Sequence, residues 1–182
     1  FINMKKFILI IAIVLGITAS ANAQIKTEGF KLIGSLGLGT SWETVGAGGE
    51  SMSGYGTIDP QVEITAGANV ISNIYLGAGI GYVSRCGVKD VEDTFHELKV
   101  LGHVRFYATP ENNSSFIVDV KGGYSRMFAN GSGLNGGNVF VGPGYMFNRK
   151  CAISLGYDGS FFKYYGISTN YHGIAAKFTM EF

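Results

Sequence analysis

The stretch "YHGIAAKFTMEF", Tyr171 to Phe182, decides the fold. Taken two residues at a time, Ile174, Ala176, Phe178, Met180 and Phe182 fall on one side of an extended strand, and Gly173, Ala175, Lys177, Thr179 and Glu181 on the other. One face is apolar to its last residue. In water such a strand invites edge-to-edge association, so something outside the strand must cover it.

The same alternation recurs through seven earlier segments. Phe30 to Trp42 sets Leu32, Leu36, Leu38 and Trp42 against Lys31, Ser35, Gly37, Gly39 and Ser41. Ile58 to Ala68 sets Val62, Ile64 and Ala66 against Asp59, Gln61, Glu63 and Thr65, and Ile74 to Val83 sets Leu76, Ala78, Ile80 and Tyr82 against Tyr75, Gly77, Gly79 and Gly81. Phe95 to Tyr107, Ser115 to Met127, Asn138 to Phe147 and Cys151 to Phe162 repeat the pattern, and no helical period intervenes. The connections alternate between longer ones (Thr44–Thr57, Cys86–Thr94, Phe128–Gly137, Lys163–Asn170) and shorter ones (Asn69–Asn73, Ala108–Ser114, Asn148–Lys150). An even number of strands with both ends at the short turns predicts an all-β fold: an eight-stranded antiparallel up-and-down barrel, closed so that no edge is left.

Alternation alone does not orient a barrel, because a soluble lipocalin-like carrier would turn its apolar face inward. Three features predict an apolar exterior. Glycines crowd the polar face on nearly every segment, as a narrow lumen requires. Aromatic residues sort to two levels, with Phe30, Phe106, Phe116, Phe147 and Phe182 at the short-turn end and Trp42, Tyr82, Tyr124 and Phe161 near the other. Twelve steps from Phe30 to Trp42 span roughly 28 Å along the normal at a tilt of about 45°, close to the apolar band of about 25 Å of a membrane barrel. The third feature is charge: Asp59, Glu63, Glu97, Asp119, Asp158 and Glu181 share the opposite face with Lys31, Lys99, Arg105, Lys121 and Lys177. The expected molecule is a transmembrane barrel with a packed polar lumen, both termini on the periplasmic side, and a lumenal charge network of Glu63, Lys99, His103, Arg105, Asp119, Lys121, Asp158 and Lys177. Cys86 then lies at an upper loop and Cys151 at a lower turn, too far apart for a disulfide.

The N-terminal region agrees with export. Lys5 and Lys6 precede an apolar run from Phe7 to Leu15, and Ala21-Asn22-Ala23 has the small-x-small pattern of a signal-peptidase site. The run is too short to span a bilayer, which takes about 20 residues. Residues 1–23 are therefore expected to be a Sec signal peptide starting naturally at Met4, with Phe1-Ile2-Asn3 an artefact of start-site choice, and residues 24–182 the barrel domain beginning at Gln24. Without the two signal lysines the chain carries 12 Lys and Arg against 13 Asp and Glu. That balance, without basic runs, argues against nucleic-acid binding. Glycine at 28 of 182 residues lacks a collagen period, and 13% aromatic content excludes general disorder.

The signal at Met4 to Ala23, the Gly- and Tyr-rich alternating strands and the terminal Ile174-x-Ala176-x-Phe178-x-Met180-x-Phe182 resemble the small outer-membrane β-barrel proteins of Gram-negative bacteria, of the OmpX and OmpA-barrel kind, particularly the single-domain barrels common in Bacteroidetes. The resemblance implies that Phe178, Met180 and Phe182 form the signal read by the barrel-assembly machinery, that periplasmic chaperones escort the chain, and that lipids and lipopolysaccharide of the cell outer membrane surround it. No periplasmic peptidoglycan-binding domain is expected after Phe182.

Four functions fit such a barrel. A structural or surface-interaction protein, without catalysis, cofactor or metal, would offer Tyr55 and Tyr164-Tyr165 on its loops to an extracellular ligand. A lipid-modifying enzyme would need a nucleophile beside a base, and His96 and His172 with Ser84 and Ser168 are the candidates, though no motif joins them. A narrow solute channel would have to pass Tyr75, Tyr107, Phe140, Met146 and Phe162, which all point inward. A soluble carrier is the inverted barrel. His103, if the Ala108–Ser114 turn sets the register, is expected opposite Asp119, where Arg105 and Lys121 draw the pair into the charge network.

Overall fold

The computed structural model of the protein describes residues 29–47, 50–87, 94–129 and 132–182, without the side chains of residues 47, 129, 132 and 164. The expected signal peptide, the expected start at Gln24 and part of the outer connections lie outside the described residues. The chain forms eight strands, β1 (Phe30–Ala47), β2 (Glu50–Ile71), β3 (Ile74–Gly87), β4 (Thr94–Tyr107), β5 (Ser115–Ala129), β6 (Ser132–Phe147), β7 (Cys151–Tyr164) and β8 (Ile167–Glu181). Each pairs antiparallel with its neighbour in sequence, and β1 pairs with β8 to close the ring. The closing ladder runs from Ile33↔Glu181 to Gly46↔Ser168. It is locked at the base by Leu32 and Phe182, which exchange backbone hydrogen bonds of 3.1 and 2.8 Å. The apolar strand that ends the chain is thus paired on both sides.

The strands outrun the hydrophobic pattern. β1 and β2 stay paired to Ala47↔Glu50, β5 and β6 to Ala129↔Ser132, and β7 and β8 to Tyr164↔Ile167. Three of the four connections expected to be long therefore continue as hairpins, and residues 88–93 of the fourth lie outside the described residues. In "ESMSGYG" (Glu50–Gly56) and "SGLNGG" (Ser132–Gly137) polar and glycine residues fall on both faces, so period-two contrast fades while the backbone ladder persists. A register shift between Trp42 and Thr44 accommodates the protruding β1–β2 hairpin. At the tip of β7–β8, Tyr165 and Gly166 both have positive φ, 43° and 86°, as the favoured two-residue hairpin turn requires. At the opposite end Asn148 and Arg149 turn with φ of 56° and 54°. The Arg149 backbone N–H donates to Asn113 O at 2.8 Å, and its guanidinium to the Glu111 carbonyl, tying two short turns together.

Gly37 and Gly81 make room for large lumenal side chains, Gln61 and Glu63, as expected, but other inward glycines have a sharper cause. A Cβ on Gly79 would lie 1.9 Å from Ile64 O, and one on Gly173 1.9 Å from Thr40 O. Both obstacles are backbone of the adjacent strand. Where so small a ring bends hardest, inward Cβ positions converge on the neighbouring carbonyls, and only glycine fits. Gly79→Val should destabilise the barrel by about 3 kcal/mol or abolish folding, measurable as a lower urea midpoint for protein folded in lipid vesicles. The same change at exposed Gly102, where the nearest atom is 3.7 Å away, should be tolerated.

Candidate functional site

Inward positions of all eight strands converge on a polar column. Near the short-turn end, Arg105 of β4 donates to both carboxylate oxygens of Asp119 of β5 at 2.7 and 2.8 Å. It also reaches Glu181 of β8 at 2.9 Å, which accepts further from Lys31 at 3.0 Å and Tyr107 at 2.7 Å. At mid-height Glu63 takes one lysine on each oxygen, Lys121 at 2.6 Å and Lys177 at 2.7 Å. Asp158 binds Lys99 at 3.3 Å and Gln61 at 2.9 Å. Higher still, Arg85 bridges Glu97 at 2.6 Å and Asp59 at 2.9 Å. Ser125 and Ser160 complete the Glu97 shell, and Ser41 and Thr57 that of Asp59. All eight residues of the expected network are brought together.

Arg85, Asp59 and Glu97 form an upper tier that the network expectation left out. Ending β3 at Val83 hid Arg85, yet Tyr75, Gly77, Gly79, Gly81 and Val83 share its parity and would have pointed it inward. With it the ion-paired column balances: Asp59, Glu63, Glu97, Asp119, Asp158 and Glu181 face Lys31, Arg85, Lys99, Arg105, Lys121 and Lys177, six acids and six bases, while Glu43, nearer the upper rim, accepts from the Tyr171 hydroxyl at 3.1 Å. An unpaired charge buried here would be expensive, and a neutral set with each carboxylate multiply bonded avoids that cost.

The register of His103 differs from expectation. It stands opposite Lys121, and Asp119 stands opposite Arg105. The β4–β5 turn is offset by two residues, so His103 Nε2 meets Asp119 Oδ1 diagonally, at 2.9 Å, while Nδ1 meets Thr65 Oγ1 at 3.0 Å. The contact survives with a different geometry, inside the Arg105 cluster.

Apolar layers sandwich the charges. Ile33, Tyr75, Tyr107, Ile117, Met146 and Ala152 pack near the short turns. Met127, Phe162 and Tyr171, backed by Phe95 and Leu134, pack near the other end. Phe140 lies under Lys177, whose Nζ is 4.0 Å from the ring centroid. All five side chains expected to point into the lumen, Tyr75, Tyr107, Phe140, Met146 and Phe162, are buried.

The candidate catalytic groups are engaged elsewhere. Ser84 stands opposite His96 in the β3–β4 ladder, but His96 Nδ1 shares a 2.7 Å hydrogen bond with the Tyr82 hydroxyl and Ser84 lies 3.8 Å from Cys86 Sγ. His172 Nδ1 is likewise 2.7 Å from the Tyr157 hydroxyl, and Ser168 donates to Gly46 O. Cys86 and Cys151 are free, at opposite ends of the ring.

Outward positions form an apolar belt in which Leu38, Ile80, Val100 and Leu155 are each about 60% exposed. Of the nine residues expected in the aromatic levels, Phe30, Trp42, Phe106, Phe116, Tyr124 and Phe161 are exposed, and Tyr82, Phe147 and Phe182 half-buried. Phe116 and Tyr145 meet edge to face at 5.3 Å, and Phe147 leans on Phe178 at 6.5 Å. Along the described strands the exposed charged residues are Arg126 of β5 and Lys163 of β7, both toward the end opposite the short turns, and Glu50 at the tip of β2.

No family model and no curated protein matches the chain. Among solved structures it is similar to Neisserial surface protein A (10% identity, 82% of this chain and 96% of that one, TM-score 0.49). It is also similar to OprG from Pseudomonas aeruginosa (12%, 85% and 96%, 0.46) and to Ail, the attachment invasion locus protein of Yersinia pestis (12%, 84% and 99%, 0.40). At such identity the likeness concerns fold alone.

Removing one member of the column should be costly. Asp119→Asn, which strands Arg105 and His103, should lower unfolding free energy by roughly 3 to 5 kcal/mol, read from denaturant midpoints of the folded protein. Lys163→Gln on the outer wall should change it by less than about 0.5 kcal/mol.

Proposed function

We propose that this chain is an integral outer-membrane β-barrel protein with a structural or surface-interaction role, without catalysis, whose lumen the ion-pair column closes to solutes. One observation carries the reading: the outward strand positions form a belt that is apolar along most of its height, while the ion-paired charges face inward, which is stable only if hydrocarbon replaces water around the ring. The aromatic residues at two levels suit the two interfaces. On this reading the short turns and both chain ends face the periplasm, after Sec export and cleavage near Ala23 and Gln24. Phe178, Met180 and Phe182 then present the assembly signal to the barrel-assembly machinery, following escort by periplasmic chaperones. Lipids and lipopolysaccharide contact the belt, and the kinship is with the single-domain barrels common in Bacteroidetes. The hairpin tips, where Tyr165 is 90% and Met52 74% exposed, are available to an extracellular ligand.

The other readings draw less support. A solute channel needs a continuous aqueous path, and the apolar layers above and below the charges oppose one. A lipid-modifying enzyme needs a base beside its nucleophile, whereas His96 and His172 are hydrogen-bonded to tyrosines.

Fractionation should recover the protein with outer membranes as a heat-modifiable, detergent-extracted band, and recovery in the periplasmic supernatant would reverse the orientation. Leu36→Arg, midway between the aromatic levels, should cost roughly 2 to 4 kcal/mol if lipid faces it, against at most about 0.5 kcal/mol in water. Planar bilayers containing purified monomer should stay silent, since steady channels would overturn the closed lumen.

A further inference from the structure

We propose that the outer wall of β2, β3 and β4 is a binding site for one anionic phospholipid, with an acyl chain in a groove and the headgroup on Arg126 and His96. This inference rests on the membrane reading above. The groove encloses about 330 Å³ and is walled by Val62, Ile64, Ile80, Tyr82, Leu98 and Val100, a volume within the usual range of ligand pockets, about 300 to 1,000 Å³. Strand register makes it: Ile64, Ile80 and Val100 form one row across the three strands, and Val62, Tyr82 and Leu98 the next. Both rows belong to the lipid-facing belt and carry no charge.

The groove ends in polar groups where a headgroup would lie. The Tyr82 hydroxyl, on the upper row, is bonded to His96 Nδ1, and the rings stack with centroids 5.8 Å apart. The phenol occupies Nδ1, and the other ring nitrogen, Nε2, has no partner among the described residues. Leu98, also on the upper row, stands directly opposite Arg126. The exposed Arg126 guanidinium lies over the Phe128 ring at 5.4 Å, and no carboxylate among the described residues is within ion-pair reach of it. Arg126 and His96 are diagonal neighbours across the β4–β5 ladder, with the guanidinium resting over Phe128 on the side of Gly133, and a forked guanidinium on a long flexible stem suits the oxygens of a phosphate.

Charge complementarity selects a lipid over a second copy of this chain. Apart from Glu50 at the tip of the β1–β2 hairpin, the exposed positions of the described strands carry no Asp or Glu, so a neighbouring barrel laid against this wall below that tip would bring no strand carboxylate to Arg126. An amphiphile with an apolar chain and an anionic head satisfies both parts of the site at once.

Native mass spectrometry of the full folded chain, released from micelles holding equal phosphatidic acid and phosphatidylcholine, tests this. The wild type should carry a single phosphatidic-acid adduct favoured about fivefold over phosphatidylcholine, the factor expected of one arginine near a lipid phosphate. Arg126→Lys should keep most of that preference and Arg126→Gln should remove it, whereas Val100→Trp, which fills the groove, should diminish adducts of both lipids. Equal adducts on a heat-modifiable wild type, a preference unchanged in Arg126→Gln, or protein dimers free of lipid would each overturn the proposal while leaving the membrane reading intact. A chain that stays in the aqueous phase would overturn both.

Discussion

Closing a ring of only eight strands leaves a hollow that side chains alone can fill, and the rest of the structure answers to that lack of room. Every second residue of every strand must enter the space, so the inward set has to be small, or large and mutually accommodating. Glycine answers where the sheet bends most sharply. Elsewhere long side chains lie along the axis and find their partners on distant strands: Lys121 and Lys177, on β5 and β8, meet on Glu63 of β2. The ion pairs therefore cross the ring and tie together strands that share no backbone ladder.

Such a core differs from that of a water-soluble domain. Its stability cannot come from gathering apolar side chains at the centre, because most of those lie on the outer wall. Deep in the lumen a charge has no water to fall back on, so pairing is obligatory, and the ion-paired column sets six acids against six bases. The apolar layers at either end, Ile33 with Tyr75 and Met146 below and Met127 with Phe162 and Tyr171 above, shield the pairs from solvent and strengthen them. Outside, the two cations on outward strand positions stand toward the same end, so the wall is uncharged along most of its height.

How much was legible without coordinates depends on which physical signal carried it. Strand number, antiparallel order and the face of each residue follow from period-two alternation, because a strand with one apolar and one polar surroundings writes that contrast into its residues. Ile174 to Phe182 and Tyr75 to Tyr82 needed nothing more. The upper hairpins carried no such contrast, since polar and glycine residues fall on both faces of Glu50–Gly56 and Ser132–Gly137 and break the apolar row, and their strand state rests on backbone hydrogen bonds that composition does not record. Arg85 was obscured for the same reason, lying just past the point where apolar alternation weakens.

Eight strands and the two faces of each were already written along the chain, because parity along a strand is a local property, and glycines, aromatic levels and charges told the outer face from the inner. Which charges meet was settled by the fold. Register sets that: the two-residue offset at the β4–β5 turn puts Arg105, not His103, opposite Asp119, and ring closure brings Glu181 of β8 to Arg105 of β4. The pairing of Arg126 with the Leu98 row is of the same kind. Stagger between strands accumulates around the ring through turn geometry and glycine bends, and no single segment holds that information.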